Sequence, residues 1–192
     1  YSQDMGSHNA NVSRLEKKLE EDITDISALR EISELLINSG DYKGTIYFST
    51  ILDSLGKATN NDNARLYSYI YLGQAMMMEG EIIESKKYMD KSLQLATELE
   101  NDSALCSVYN GLGLYASNIE KDYYRSVDYY LEGIESAKRS NYEKLYNILL
   151  INIAGIYYLK NDTTGLSYAL EGHERAMVAR DPFLLFASSL NT

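Results

Sequence analysis

A repeat of about 40 residues restricts the fold of this sequence more than any other feature. Glycine, aspartate and a large apolar residue each recur at that interval. The equivalent positions are Gly40 and Gly80, Gly73 and Gly113, Leu29, Tyr69 and Tyr109, and Asp22, Asp62 and Asp102. Because several residue types recur in one register, we predict a chain of similar units, each of which buries its apolar side against its neighbours.

Each unit is predicted to form two antiparallel α-helices. Apolar residues recur at helical spacing over 66–76 and again over 83–96, a period typical of helices with one buried face. Gly80 lies between these stretches, where a residue that tolerates a left-handed backbone permits a tight turn. The recurring aspartates are predicted to be helix N-caps, because their side chains can accept hydrogen bonds from the first backbone amides. A β-rich fold is disfavoured, since the chain contains one proline and such folds need more turn-forming residues.

Small residues indicate where the two helices of a unit approach each other. Gly73 and Gly113 fall in the middle of first helices, where glycine costs about 1 kcal/mol relative to alanine. Small residues at matching places in the second helices are Ser85, Ser92, Ser126 and Gly133. We therefore expect a neighbouring helix to pack directly against the backbone of each glycine.

The recurring positions carry a family resemblance. In the second unit they are Tyr69, Leu72, Gly73, Met76, Gly80, Ser85, Met89, Ser92 and Leu93. In the third unit they are Tyr109, Leu112, Gly113, Ala116, Tyr123, Ser126, Tyr130 and Gly133. This pattern resembles that of the tetratricopeptide repeat (TPR) family, in units about six residues longer than the usual 34, similar to those of bacterial signalling members. The resemblance implies an all-α fold, a right-handed α-α superhelix of stacked antiparallel helical hairpins.

The repeat register predicts the organisation of the chain. We expect a flexible N-terminal tail and a short capping helix, followed by four full repeats and the first helix of a truncated fifth. The corresponding ranges are 1–9 for the tail, 10–21 for the capping helix, 22–60, 61–100, 101–140 and 141–180 for repeats 1 to 4, and 181–192 for the fifth.

The resemblance also implies that the first helices of the units line a concave groove. The candidate binding residues occupy its groove-facing register or are tyrosines that the repeat pattern does not explain. They are Arg30, Glu34, Ile37, Tyr67, Ile70, Tyr71, Gln74, Met77, Asn110, Leu114, Ser117, Ile151 and Tyr158. Their polar members are suited to pairing with a peptide backbone, and their apolar members supply contact area. The family's clamp for terminal carboxylates is not expected, because its positions lack cations: they hold Glu34, Gln74, Asn110 and Leu114.

Composition and spacing argue against several other functions. The net charge is −10 from 28 acidic and 18 basic residues, whereas a nucleic-acid binder presents a basic face. No apolar run reaches the roughly 18 residues of a membrane span. No His/Cys/Asp/Glu group has metal-ligand spacing, and Cys106 has no catalytic partner in the sequence. We therefore predict no enzyme activity, no cofactor, no metal, no nucleic-acid partner and no membrane insertion by this segment.

The remaining prediction is a non-catalytic scaffold that binds a protein or peptide. The long units, the 18 tyrosines and the start at Tyr1 without an initiator methionine favour one context. It is the N-terminal sensor or interaction region of a larger bacterial signalling or transcription-regulatory protein, in the periplasm or otherwise outside the cytoplasm. The alternatives are a cytoplasmic peptide-binding adaptor and a self-assembly module that pairs chains.

Overall fold

The structure, a computed structural model, describes the backbone of residues 2–179 and the side chains of residues 10–178. Those residues form nine α-helices and no β-strand. The helices are α1 (Ser2–Glu21), α2 (Ile26–Ser39), α3 (Tyr42–Ala58), α4 (Asp62–Met78), α5 (Ile82–Glu98), α6 (Asp102–Tyr115), α7 (Tyr123–Ser140), α8 (Glu143–Leu159) and α9 (Leu166–Ala179). A π-helical turn (Ala116–Glu120) follows α6, and a 3₁₀ turn (Thr163–Gly165) precedes α9. The truncated fifth repeat predicted over 181–192 lies outside the described residues.

The described residues divide into two compact units, with the boundary between Leu99 and Glu100. In the first unit each helix from α1 to α5 packs on the next, and α2 also contacts α4. In the second unit α6 to α9 pack in the same order, and α6 also contacts α8. Since short turns join the paired helices, consecutive helices run antiparallel. Each unit therefore brings the first helices of two successive hairpins side by side.

Apolar residues at helical spacing form a core in each unit. In the first unit Leu15 and Leu19 of α1 pack with Leu29 and Ile32 of α2 and Leu52 of α3. The core of the second unit includes Cys106, Tyr130, Leu149, Leu150 and Ile153. No helix of the described residues is long and apolar enough to cross a membrane.

The mid-helix glycines are points of close contact, as predicted. A Cβ atom on Gly113 would lie 2.2 Å from Cε1 of Tyr130, and one on Gly73 would lie 2.9 Å from Cγ of Met89. The serine hydroxyls of the second helices donate to the glycine carbonyls, at 2.7 Å from Ser85 to Gly73 and at 2.8 Å for the equivalent bond in the second unit. The same contact therefore occurs within each of the two hairpins: a serine hydroxyl of the second helix donates to the backbone carbonyl of the glycine in the first helix.

The prediction that Asp22, Asp62 and Asp102 are helix N-caps is wrong. The caps of α4 and α6 are the preceding residues, Asn61 and Asn101, whose side-chain oxygens accept from amides three residues on, each at 3.0 Å. The aspartates that follow are the first helical residues, where a carboxylate still complements the helix dipole. Asp22 instead accepts the backbone N–H of Thr24, and Asp25 caps α2. A cap needs a non-helical backbone, and neighbouring Asn and Asp residues compete for that position.

The first helix begins earlier than predicted. Residues 2–9 are helical, in place of the flexible tail predicted over 1–9, so the helix does not start at Ala10. The segment contains no proline, and adding residues to an existing helix is far easier than starting one. Residues 10–21, which pack on α2 through Leu15 and Leu19, supply that existing helix.

Candidate functional site

The candidate residues of the first unit lie on α2 and α4, the neighbouring first helices. Arg30 and Glu34 are exposed on α2, and Tyr67 is half-buried on α4. Ile37 lies one turn beyond Glu34 on α2, and Gln74 lies two turns beyond Tyr67 on α4; both are half-buried. The three residues of α2 are spaced by four and three positions and the two of α4 by seven, which places each set along one face of its helix.

Three candidates of this unit are buried and offer little surface to a partner. They are Ile70 and Tyr71, exposed by 4% and 6%, and Met77, exposed by 7%. Their helical register is shared with the face, but packing within the protein covers their side chains. Periodicity alone does not show which edge of a face a neighbouring helix will cover.

An arginine and two tyrosines connect the two helices. The guanidinium carbon of Arg30 lies 3.5 Å from the centroid of the Tyr67 ring, and the Tyr67 and Tyr71 rings stack with centroids 6.3 Å apart. Glu34, one turn after Arg30, is close enough to act on the Tyr71 hydroxyl. We refer to Arg30, Glu34, Tyr67 and Tyr71 as the Arg30 cluster.

The Tyr71 hydroxyl stays protonated in this cluster. Burial raises the pKa of Tyr71, and the nearby Glu34 carboxylate raises it further, while the Arg30 guanidinium acts in the opposite direction. Desolvation disfavours the phenolate because a charge is costly away from water. The hydroxyl therefore remains a hydrogen-bond donor across the physiological pH range.

Arg30 differs from the other arginines of the described residues. Each of the others forms an ion pair with a carboxylate: Arg14, Arg65, Arg125, Arg139 and Arg175. Arg30 forms none with any described residue, and its contacts are to the tyrosines. The first unit thus exposes an unneutralised guanidinium on its candidate face.

The candidate residues of the second unit lie on α6, α8 and the π-helical turn. Asn110, Leu114 and Ile151 are half-buried, and Tyr158 is 67% exposed. Ser117 is buried in the π-helical turn, where its hydroxyl donates to the Leu114 carbonyl at 3.1 Å. Ser117 is therefore occupied by its own helix rather than presented to a partner.

Sequence reasoning missed a residue of the second unit, Asn152. Its side-chain Nδ2 donates to Oδ1 of Asn110 at 3.0 Å, joining α8 to α6. We call these two residues the asparagine pair. Asn152 occupies the repeat position that Tyr71 holds in the second repeat, so carrying Tyr71 forward through the register would have identified it. In each unit this position therefore faces the preceding first helix.

The asparagine pair keeps unused hydrogen-bonding groups. One N–H of Asn152 and one oxygen of Asn110 are engaged with each other. The second donor of Asn152, its oxygen and the Asn110 amide form no hydrogen bond with the described residues. Leu114 and Ile151 flank them at half-buried positions. A partner with both donors and acceptors can pair with these groups.

A cleft lies at the end of α8, beside Tyr158. Its volume is about 310 Å³, and its lining includes Ala154, Tyr158, Asp162 and Leu166. The Asp162 carboxylate accepts the backbone N–H of Thr164 at 2.9 Å, which lowers its pKa. The lining of the cleft thus combines apolar side chains with polar groups, among them the Asp162 carboxylate, and it includes the candidate residue Tyr158.

The described residues hold no group of three metal-ligating side chains. Burial raises the pKa of the Cys106 thiol to about 12. The thiolate is the reactive form of cysteine, so this residue is a packing element and not a nucleophile. The candidate faces of the two units instead present hydrogen-bonding groups in the asparagine pair, the aromatic rings of Tyr67 and Tyr158, and the Arg30 guanidinium. Such groups are typical of binding surfaces.

Comparison with known proteins identifies the fold. Neither a protein-family model nor a curated protein sequence matches the chain. A Rap protein in complex with Competence and Sporulation Factor aligns over 98% of this chain and 54% of its own, with 14% identity and a TM-score of 0.83. The apo form of RapI aligns over 86% of this chain and 62% of its own, with 14% identity and a TM-score of 0.69.

A third similar structure is a signal transduction ATPase with numerous domains and a tetratricopeptide repeat sensor, from Pyrococcus horikoshii. It aligns over 92% of this chain and 27% of its own, with 18% identity and a TM-score of 0.76. This chain thus spans about a quarter of the ATPase and about half of the Rap protein. The predicted all-α fold of TPR-like helical repeats is confirmed.

Proposed function

We propose that this chain of TPR-like helical repeats is a non-catalytic scaffold that binds a protein or peptide on the faces of its first helices. The observation that carries the proposal is the asparagine pair, which presents free amide donors and acceptors between half-buried apolar residues. Every peptide unit has one N–H and one C=O to satisfy. A side-chain amide can pair with both at once, so the pair suits an extended backbone.

The hydrogen bond within the asparagine pair prepares it for binding. Because Asn152 donates to Asn110, both side chains are held in place before a partner arrives. Less rotamer entropy is then lost on binding. The half-buried Leu114 and Ile151, on the same two helices, supply apolar contact area beside the pair.

The similar structures support a binding role. One of them is a Rap protein complexed with Competence and Sporulation Factor, and another contains a tetratricopeptide repeat sensor. By analogy we propose that this chain is the N-terminal sensor or interaction region of a larger bacterial signalling or transcription-regulatory protein. An extracytoplasmic location is part of this proposal, and a cytoplasmic adaptor is its alternative. Reading the full gene decides between them, since an export signal followed by an effector domain is expected.

The binding proposal is tested with a random decapeptide library and the purified chain. The variant is N110A/N152A, and the control is Asn11→Ala, which removes an exposed asparagine of α1. Two lost hydrogen bonds of about 1 kcal/mol each predict peptides that bind the double variant about 10–30-fold more weakly, with no change in the control. Equal affinities for the double variant and the wild type contradict the role of the pair.

A self-assembly module is the second candidate. Leu159, Leu170 and Val178 of the second unit are exposed by 67%, 49% and 87%, and exposed apolar residues favour association. Light scattering over a range of concentrations separates the two functions. A constant monomer mass contradicts self-assembly, while a mass that doubles with concentration supports it.

A further inference from the structure

The cleft at the end of α8 has the size of a small-molecule site. Its volume of about 310 Å³ lies at the low end of the roughly 300–1,000 Å³ that such sites span. It is formed by the last turn of α8, the connection over residues 160–165 and the start of α9. All of these elements belong to the second unit, so a ligand held there contacts one unit alone.

The walls of the cleft are held in place by contacts between α8, the connection and α9. A Cβ atom on Gly165 would lie 2.4 Å from Cβ of Tyr157, so the 3₁₀ turn packs directly on α8. The rings of Tyr157 and Tyr168 stack with centroids 6.1 Å apart, which joins α9 to α8. Oδ1 of Asp162 accepts the backbone N–H and the hydroxyl of Thr164, at 2.9 and 2.8 Å. A site ordered in this way loses little entropy when a ligand binds.

Several hydrogen-bonding groups of the lining are unused. Oδ2 of Asp162 accepts no hydrogen bond from the part of the chain that the structure describes, since both bonds from Thr164 go to Oδ1. The side chains of Asn161 and Thr163 and the Tyr158 hydroxyl also form none with the described residues. These groups include both donors and acceptors. A ligand hydroxyl, which both donates and accepts, can pair with any of them.

The lining also presents aromatic and aliphatic surface. Tyr158 is 67% exposed, and Ala154 and Leu166 line the cleft with it. The face of a tyrosine ring is electronegative and attracts the weakly positive hydrogens of a ligand. A saccharide ring combines C–H bonds on its faces with hydroxyl groups around its edge. The cleft therefore offers a complement to both parts of such a ring.

The charge of the cleft favours a neutral ligand. Asp162 is the one charged residue of the described lining. The hydrogen bonds from Thr164 lower the pKa of Asp162, and the nearby Lys160 ammonium acts in the same direction. That ammonium lies 4.4 Å from the centroid of the Tyr124 ring, beside the lining. One anion with one compensating cation favours neither a cationic nor an anionic ligand, while the carboxylate forms strong, charge-assisted hydrogen bonds with neutral hydroxyls.

We propose that this cleft binds a neutral polyhydroxylated small molecule of the saccharide class, with its ring against Tyr158 and its hydroxyls on Asp162 and Asn161. This site goes beyond the proposed function, because its ligand is not a peptide and its lining does not include the asparagine pair. The two kinds of binding can therefore be measured separately on the same chain.

The test is isothermal titration calorimetry of the full chain with D-glucose, D-galactose, D-mannose and N-acetyl-D-glucosamine. Choline and D-glucuronate serve as charged probes. The variants are Tyr158→Ala and Asp162→Asn, of which the second keeps an acceptor oxygen for Thr164. Their controls are Tyr47→Ala, at a tyrosine of α3 that is 61% exposed, and Asp122→Asn, at an aspartate that caps α7 as Asp162 caps the 3₁₀ turn. Melting temperatures check that every variant is folded.

The wild type and both controls are expected to bind at least one of the four saccharides, and to bind it more tightly than choline or glucuronate. Tyr158→Ala and Asp162→Asn should each weaken this binding about five- to tenfold, through the lost ring contact and the lost charge on the acceptor. Binding of none of the saccharides overturns the proposal. Tighter binding of a charged probe, or wild-type affinity in either variant, also overturns it.

The double variant N110A/N152A separates this inference from the proposed function. It should bind the saccharide as tightly as the wild type does, while its peptide affinity falls. A loss of saccharide binding in N110A/N152A would overturn the assignment of the ligand to the cleft. Failure of every saccharide leaves the peptide scaffold standing, and failure of peptide binding leaves the saccharide site standing.

Discussion

Substituting Gly113 by alanine is expected to destabilise the second unit, although alanine is the better helix former. The added Cβ would lie 2.2 Å from Cε1 and 2.5 Å from Cδ1 of Tyr130. Tyr130 is 1% exposed and its ring is enclosed by the core, so it cannot swing into solvent. Either α6 and α7 separate, which also strains the bond from Ser126 to the Gly113 carbonyl, or the ring leaves its rotamer.

The magnitude follows from two opposing effects. Overpacking a well-filled core costs up to about 3 kcal/mol, and replacing glycine by alanine in a helix returns about 1 kcal/mol. The expected net loss is about 2 kcal/mol in the free energy of unfolding. Urea denaturation followed by circular dichroism at 222 nm measures it as a shift of the transition midpoint at constant slope.

A matched control lies in the same unit. A Cβ on Gly172 of α9 would meet its nearest atoms at 3.5 and 3.6 Å, an ordinary van der Waals contact. Gly172→Ala should therefore be neutral or stabilising by up to about 1 kcal/mol. A second check is the pair G113A/Y130L, in which the smaller side chain should recover part of the lost stability. If Gly113→Ala is as stable as Gly172→Ala, close packing at the glycine is not what holds α6 to α7.

Two further predictions concern single buried groups. Asn147 is 2% exposed and its Oδ1 has no hydrogen-bond partner among the described residues. Asn147→Leu should therefore stabilise the second unit by about 1 kcal/mol, which would be measured as a higher melting temperature. A lower melting temperature would mean that the Asn147 amide forms hydrogen bonds in solution. Because burial raises the pKa of Tyr71 above the ordinary tyrosine value of about 10, its contribution to stability is complete below pH 10 and is lost as the pH rises above that value. Between pH 9 and 11, Tyr71→Phe should therefore lose less free energy of unfolding than the wild type, as measured by urea titrations. Identical losses would contradict a raised pKa of Tyr71.

The repeat register was sufficient to predict the hairpins because the information is local. Mid-helix glycines and matching serines recur in the sequence, and the structure joins Ser85 to Gly73 by a hydrogen bond of 2.7 Å. The helix starts were less predictable. Asn61 and Asp62 are both good caps, and only the packing of α4 decides which of the two lies outside the helix.

What the sequence determined by itself is the pairing of helices, since amphipathic periods and turn residues act over a few tens of residues. What only the tertiary structure decided is how each first helix is rotated against its neighbour. That rotation buries Tyr71 and leaves Arg30 exposed, and it brings Asn152 to Asn110. These contacts join residues of different repeats, and their formation depends on side-chain packing that no short stretch of sequence contains.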